Sequence, residues 1–282
     1  MRMQFPEPFN LQATLESGQA HRWRWNDGWY WGVIYGNLIK IRQYAGNIEV
    51  FSAPKGPKQL KGLLNSYFRL DDDLLEIYGS ISKDSRIEKM LEVYSGMRLL
   101  RQEPWECLCA FICSSISNIP RIGRNMESLS NALGKPVKLL GETRNTFPTA
   151  EAIATAGVDF LRQLGLGFRA KYVAVAAQKV AEGDLNLDVV HSMSYQQAKD
   201  TLMELPGVGA KIADCVLVFS MDKLEAFPID RWVSRAMSEW YKIGDKLSYE
   251  EVADWAKDYF DPYAGYAQQY LFHGRRLGNM DI

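Results

Sequence analysis

The stretch LPGVGAKIADCVLVFSMDKLEAFPID, Leu205 to Asp230, constrains this chain more than any other. Just upstream, Ser194 and Gln197 have the spacing of a capping box, which predicts a helix running to about Glu204 and ended by Pro206 and Gly207. Gly207 and Gly209 permit a sharp reversal, with the amides of Gly207, Val208 and Gly209 turned outward beside the start of the next helix. Such a turn binds an anion, and DNA phosphate is the obvious candidate. Ile212, Ala213 and the run Cys215 to Phe219 are apolar nearly all round, so the second helix of this hairpin, 194–221, is a core helix.

Lys211 falls in the first turn of that core helix. The positive end of the helix dipole and partial burial both disfavour an ammonium there, which suits a lysine used as an amine nucleophile. Asp230 follows Phe227, Pro228 and Ile229 and precedes the helical pattern Arg231 to Trp240, where an aspartate is a good cap. Singly, each feature has a plainer reading: a turn, a solvated lysine, a cap. A phosphate-binding turn, a helix-start lysine and a delayed carboxylate in one segment are hard to explain as independent accidents.

The whole chain has 282 residues, 47% hydrophobic and 24% charged, enough for one large or two modest domains with a real core. A net charge of -1 argues mildly against a nucleic-acid partner, so local charge must carry that claim. The window Phe160 to Ala181 supplies it, with Arg162, Arg169, Lys171 and Lys179 and no acidic residue. Cys107, Cys109, Cys113 and Cys215 lack the spacing of a zinc or iron–sulfur site and read as buried thiols in a reducing compartment. No apolar run is long enough for a transmembrane helix, and MRMQFPEPFN is neither a signal nor a transit peptide, so a soluble intracellular protein is expected.

Residues 11 to 52 read as an antiparallel meander, with turn signals at Asn26-Asp27-Gly28 and further Gly-containing breaks. Its aromatic residues suit a core or domain interface better than a base-stacking platform. Ser17-Gly18-Gln19 reads as a loop. Past Ala53-Pro54 the pattern turns helical: Lys58 to Phe68, Ser85 to Tyr94, a strongly apolar helix from Pro104 to Cys113, and Ile119 to Leu133 capped by Asn118. Asp71-Asp72-Asp73 reads as a solvated helix start rather than a metal site. Arg121 and Arg124 share a helix face. Phe168, on a Gly-flanked link, is either an apolar wedge for a base stack or a cover for the core. A helix from Tyr249 to Tyr259 precedes a last one, on which Gln268 and Phe272 share a face, suited to packing or to a pocket.

The segments SGQAHRW, YFRLDDDL, RLLRQEPWECLCAFICSS, GFRAKY, LPGVGAKIADC, FPID and DPYAGYAQQYLF, in this order and covering nearly the whole chain, resemble the eukaryotic-type 8-oxoguanine DNA glycosylase of the helix-hairpin-helix glycosylase superfamily. The resemblance implies an α+β protein: an N-terminal antiparallel β-sheet domain with flanking helices, 1–84, then a mainly α-helical glycosylase domain in two lobes, 85–282. It implies a bifunctional DNA N-glycosylase and AP lyase, in which Lys211 attacks the deoxyribose C1′ and Asp230 stabilises the developing positive charge on the sugar. It gives Gly18 as the carbonyl that accepts the extra N7 hydrogen of 8-oxoguanine, Cys215 and Phe272 as the sandwich around the base, and Gln268 as the reader of its Watson–Crick edge. Arg121 and Arg169 fall at arginines that hold the widowed cytosine, Asn118 lies in the same loop region, and Phe168 stands at the wedge.

Two positions depart from the family. Ile116 falls where an asparagine touches the opposite base and the strand gap, and Trp232 replaces a histidine near the active site. The expected partner is double-stranded DNA containing 8-oxoguanine, bound by a monomer without metal or other cofactor and without a membrane, in the nucleoid of a prokaryote or the nucleus of a eukaryote. Two competing readings remain at this point: a glycosylase for another damaged purine, which Lys211 argues against, and a non-enzymatic hairpin module that binds duplexes and leaves them intact.

Overall fold

The computed structural model describes residues 1–243 and 247–278; the last four residues of the expected helical domain lie outside that range. The chain begins with a five-stranded antiparallel sheet in the order β1-β5-β4-β3-β2, formed by β1 (Arg2–Met3), β2 (Arg24–Asn26), β3 (Trp29–Ile34), β4 (Asn37–Tyr44) and β5 (Asn47–Ala53). Asp27-Gly28, Tyr35-Gly36 and Ala45-Gly46 all have positive φ, between 45° and 77°. That is the type I′ geometry whose twist matches the strands it joins. Period-two alternation then sorts the side chains. Tyr30, Ile39, Ile41, Ile48 and Val50 meet Phe5, Phe9, Trp23 and Phe68 on one face, while Trp31, Val33 and Leu38 point to the other.

Two features differ from the expected meander. Leu11–Glu16 is a helix, because Asn10 accepts a hydrogen bond from the Ala13 amide and caps it. A two-stranded ribbon, Pro136–Leu139 paired with Glu142–Asn145, lies within the helical part of the sequence and sets Val137 and Leu139 against Trp31 and Val33. The turn Leu140-Gly141, both at positive φ, was the local signal for it.

The helical part is built around Pro104–Cys113, where every residue from Cys107 on is buried and proline starts the helix without losing a hydrogen bond. Phe111 stacks on Phe219 with ring centroids 5.5 Å apart, joining this helix to Ala210–Ser220, the second helix of the hairpin. Helix Leu74–Ile81, capped by Asp73, also packs into this core. Gln19 fastens the sheet domain to it: its amide nitrogen donates to the Arg98 carbonyl at 2.8 Å, and its Oε1 accepts from Leu100 N at 2.7 Å.

The basic window is thinner than its composition promised. Arg169 is buried, and Arg162 pairs with Asp159 at 2.9 Å, one residue outside the acid-free stretch.

Candidate active site

The hairpin forms as its sequence dictates. The first helix, Tyr195–Met203, starts with the Ser194/Gln197 capping box, and the second starts at Ala210 with Gly209 as its cap residue. Gly207 has φ +85°, and a Cβ there would lie 2.5 Å from the ring of Tyr172, so both conformation and space require glycine. The amide of Val208 donates to the Leu205 carbonyl at 3.0 Å, and its side chain is buried. Val208 is therefore committed to the turn itself. The Gly207 and Gly209 amides have no acceptor among the described residues.

Beside the turn lies a cleft of about 1200 Å³. It receives Lys211, Ile212 and Cys215 from the hairpin, Asp230 and Trp232 from the following helix start, Gln268 and Phe272 from Ala264–Leu277, the loop 114–118, and Gly18 and His21 from the N-terminal segment. Ten expected site residues thus share one wall system: Gly18, Asn118, Arg121, Gly207, Gly209, Lys211, Cys215, Asp230, Gln268 and Phe272. Val208, Phe168 and Arg169 do not line it. The cleft's charged lining holds Arg121, Lys211, Arg231 and Arg276 against Asp230 alone, a local positive field on a chain of net charge -1.

Lys211 Nζ donates to Ser114 Oγ at 3.1 Å and lies 5.4 Å from the centre of the Phe111 ring. The Ser114 hydroxyl donates to the Phe111 carbonyl at 2.7 Å, which fixes it as an acceptor toward the lysine. Among the described residues no carboxylate pairs with Lys211. Asp230 caps Arg231–Trp240: its Oδ1 accepts from the amides of Trp232 at 2.8 Å and Val233 at 2.9 Å. The cap also holds the carboxylate in one orientation.

One helical turn beyond Lys211, the Cys215 thiol is buried and pushed up to about 12, mainly by desolvation. It stays a neutral, polarisable wall. Gln268 donates from Nε2 to the Pro228 carbonyl at 3.0 Å, and because a carbonyl only accepts, the amide orientation is settled. Its Oε1 is left as a buried acceptor without a partner among the described residues. Gly18 has φ +81°, and a Cβ there would stand 2.7 Å from Ile119 Cδ1 and 3.4 Å from Phe272 Cε1. This loop residue shapes the pocket by what it lacks. The guanidinium groups of Arg231 and Arg235 lie 5.0 and 5.4 Å from the centre of the Trp232 ring.

The residues expected at the opposite strand are arranged differently from one another. Arg121 is exposed at the rim, whereas Asn118 Oδ1 accepts from the Arg121 amide at 2.9 Å as a helix cap. The Arg169 guanidinium is turned inward onto the carbonyls of Ser115 and Ile116.

Three cleft residues were given no role from the sequence, although His21 and Ser114 lie within segments that carry the resemblance. Tyr249 donates to buried Asp214 at 2.6 Å and accepts from the Ile229 amide at 3.3 Å. Ser114 is the partner of Lys211. His21 is buried with both ring nitrogens unpartnered among the described residues, and burial, then the Lys211 and Arg24 cations, push it down to about 3. It is a neutral imidazole.

Residues 2–108 match the family described as 8-oxoguanine DNA glycosylase, N-terminal domain, and residues 109–262 match the HhH-GPD superfamily of base excision DNA repair proteins. The N-glycosylase/DNA lyase OGG1 of Arabidopsis thaliana is 31% identical over 278 residues, 93% of this chain and 76% of the plant protein. The N-glycosylase/DNA lyase of Saccharomyces cerevisiae is 31% identical over 83% of this chain and 68% of its own length. Among solved structures, the Clostridium acetobutylicum 8-oxoguanine glycosylase/lyase, in complex with duplex DNA containing cytosine opposite 8-oxoG, superposes with a TM-score of 0.91 at 31% identity, covering 96% of this chain and 93% of that one. A hairpin, a lysine at its second helix and a sheet domain in front of them occur together along matches of that length, and the chain belongs to the 8-oxoguanine DNA glycosylase family within the HhH-GPD superfamily.

Proposed function

We propose that this protein removes 8-oxoguanine from duplex DNA and then cleaves the strand at the resulting site. Duplex phosphates meet the Gly207 and Gly209 amides and the positive rim of the cleft. The damaged nucleotide rotates out of the stack, at a cost of a few kcal/mol that the pocket offsets. Its base lies between Cys215 and Phe272. Gln268 Oε1 accepts from the Watson–Crick edge, and the Gly18 carbonyl accepts the N7 hydrogen that guanine lacks, so the undamaged base would leave an acceptor facing an acceptor.

Lys211, as the neutral amine, attacks C1′. The electron pair of the glycosidic bond leaves with the base, which takes up a proton, while the fixed Asp230 carboxylate faces the positive charge that develops on the sugar. The nitrogen gives up a proton, and its lone pair then breaks the C1′–O4′ bond, so that the ring opens, O4′ leaves as a hydroxyl and Lys211 holds C1′ as an imine. Removal of a C2′ proton then expels the 3′ phosphate and nicks the strand. Arg121, exposed at the rim, holds the base left opposite. Acting on DNA, the protein works inside the cell, in the nucleoid or nucleus.

One observation supports this reading most: Lys211 opens on the same cleft as Asp230 with a neutral hydroxyl, and no carboxylate, as its hydrogen-bond acceptor. Borohydride trapping on 8-oxoguanine duplexes tests it. Wild type should give a covalent adduct and Lys211→Gln none, while Lys211→Gln still binds the duplex. Base release by wild type without any adduct would mean attack by water instead.

A further inference from the structure

Arg276 falls in the last turn of Ala264–Leu277, where a cation commonly does no more than face the negative end of the helix dipole from solvent. Here it is half-buried and reaches the other end of the chain. Its Nη2 donates at 2.7 Å to the carbonyl of Glu16, the last residue of Leu11–Glu16. It also donates at 3.0 Å to Nδ1 of His273, which must be the acceptor because a guanidinium only donates. Burial, then the Arg276 cation, push the His273 imidazole down to about 4, so it keeps that lone pair at neutral pH. The guanidinium lies 5.6 Å from the centre of the Phe272 ring, one turn back on its own helix. Gln269, 2% exposed, adds a second bond of the same kind: its Nε2 donates to the Ser17 carbonyl at 2.9 Å. One helix thus supplies donors to two successive carbonyls, and Gly18 is the next residue. On the far side Gln102 Nε2 donates to the Gln19 carbonyl at 2.8 Å. Between these fixed carbonyls, that of Gly18 has no donor among the described residues.

Resting on the function proposed above, we infer that Arg276 and Gln269 are positioning residues that set the preference for 8-oxoguanine over guanine, by holding the Gly18 peptide in register with Gln268 and Phe272. Neither residue needs to touch the base. At N7 one base offers a hydrogen and the other a lone pair, and a hydrogen bond weakens steeply once its distance or angle drifts. Gly18, at φ +81° and without a Cβ, does little to fix its own peptide, so contacts from outside must do so. Two carbonyls held just before it leave that peptide little room to rotate. Because both donors stand on the helix that also carries Gln268 and Phe272, the Gly18 loop, the Watson–Crick reader and the stacking ring move as one body. Loss of either donor uncouples the loop from the helix. The acceptor then drifts, and 8-oxoguanine loses a contact that guanine never had.

The test uses the full chain and duplexes that differ only in holding 8-oxoguanine, guanine or a preformed abasic site at one position. In a Lys211→Gln background, which leaves the base in place, Arg276→Met and Gln269→Met should each lower the ratio of guanine to 8-oxoguanine dissociation constants about tenfold, as loss of one well-placed hydrogen bond does. The double variant should lower it little further, since both residues hold one loop. With Lys211 present, each variant should lose at least about tenfold more in single-turnover excision of 8-oxoguanine than in cleavage at the abasic site, which offers no base to read. Abasic-site cleavage also reports that a variant is folded, and a fault transmitted through Asp230 would slow both reactions alike. Equal losses on the two substrates, or a wild-type preference for 8-oxoguanine in both single variants, overturn the inference while leaving the proposed function intact. A wild type that neither prefers nor excises 8-oxoguanine removes the proposed function, and this inference with it.

Discussion

Two tyrosines place their hydroxyls on one buried carboxylate, and replacing them one at a time should separate stability from catalysis. Asp214, with no exposed surface, lies one turn beyond Lys211 and accepts from Tyr249 Oη at 2.6 Å and Tyr195 Oη at 2.8 Å, with Lys199 Nζ at 3.4 Å. Burial raises the Asp214 carboxyl above its ordinary range despite these donors, so each is needed. A hydrogen bond to a buried charge contributes about 1.5–3 kcal/mol, so Tyr249→Phe and Tyr195→Phe should each cost about 2 kcal/mol and lower Tm by about 4–8 °C. Tyr195 also accepts from Lys199 Nζ at 3.3 Å, whereas Tyr249 reaches toward the neighbourhood of Asp230. Its oxygen also accepts from the Ile229 amide at 3.3 Å, and Ile229 precedes Asp230. Loss of that tether lets the carboxylate shift, and a displacement of about 1 Å can cost 100-fold in rate. Single-turnover excision should therefore fall at least about tenfold in Tyr249→Phe and less than about threefold in Tyr195→Phe, with comparable melting losses in both. Equal rate losses in the two variants, or an unchanged rate in Tyr249→Phe, would refute the tether.

Asp230→Asn keeps an oxygen to accept from Trp232 N and Val233 N, so melting should change by no more than about 2 °C, while single-turnover excision falls at least about 100-fold. Gly18→Ala adds a methyl 2.7 Å from Ile119 Cδ1 at φ +81°; denaturant unfolding should show a loss of roughly 1–2 kcal/mol, and affinity for the lesion should fall more than affinity for undamaged duplex. Glu106 is pushed up to about 7, chiefly by burial and partly countered by Arg22. A raised carboxyl keeps its proton in the folded state where the unfolded chain has released it, so this group lowers stability as pH rises from about 4.5 to about 7, by about 3 kcal/mol in all. Glu106→Gln should flatten that slope in urea titrations between pH 5 and 8, since Arg22 retains Glu127 at 3.1 Å.

What the sequence made legible was local chemistry. The capping box, the two hairpin glycines and the apolar run after Lys211 each act within a few residues, so the hairpin could be placed to within a residue or two of its observed ends. The type I′ turns were visible as Gly-containing breaks for the same reason. The supports of the site were not visible, because each joins residues far apart in the chain: Tyr249 to Asp214, Ser114 to Lys211, Arg169 to the loop 114–118. Backbone conformation at a non-glycine residue was equally hidden, and nothing in the letters marks Ile116 as left-handed. Asp230 and Arg169 are opposite cases of this division. For Asp230 the plain reading and the functional one coincide, since the amides that make it a cap also hold its carboxylate toward the cleft. For Arg169 they part: a basic residue beside an aromatic on a glycine-flanked link reads as a hand for DNA, but its Nε and Nη2 are already engaged by carbonyls of the loop 114–118. A guanidinium with two carbonyls in hand gives up those bonds only if the loop moves, so a side chain that reads as free in the sequence is, in the fold, a fastening of the loop 114–118.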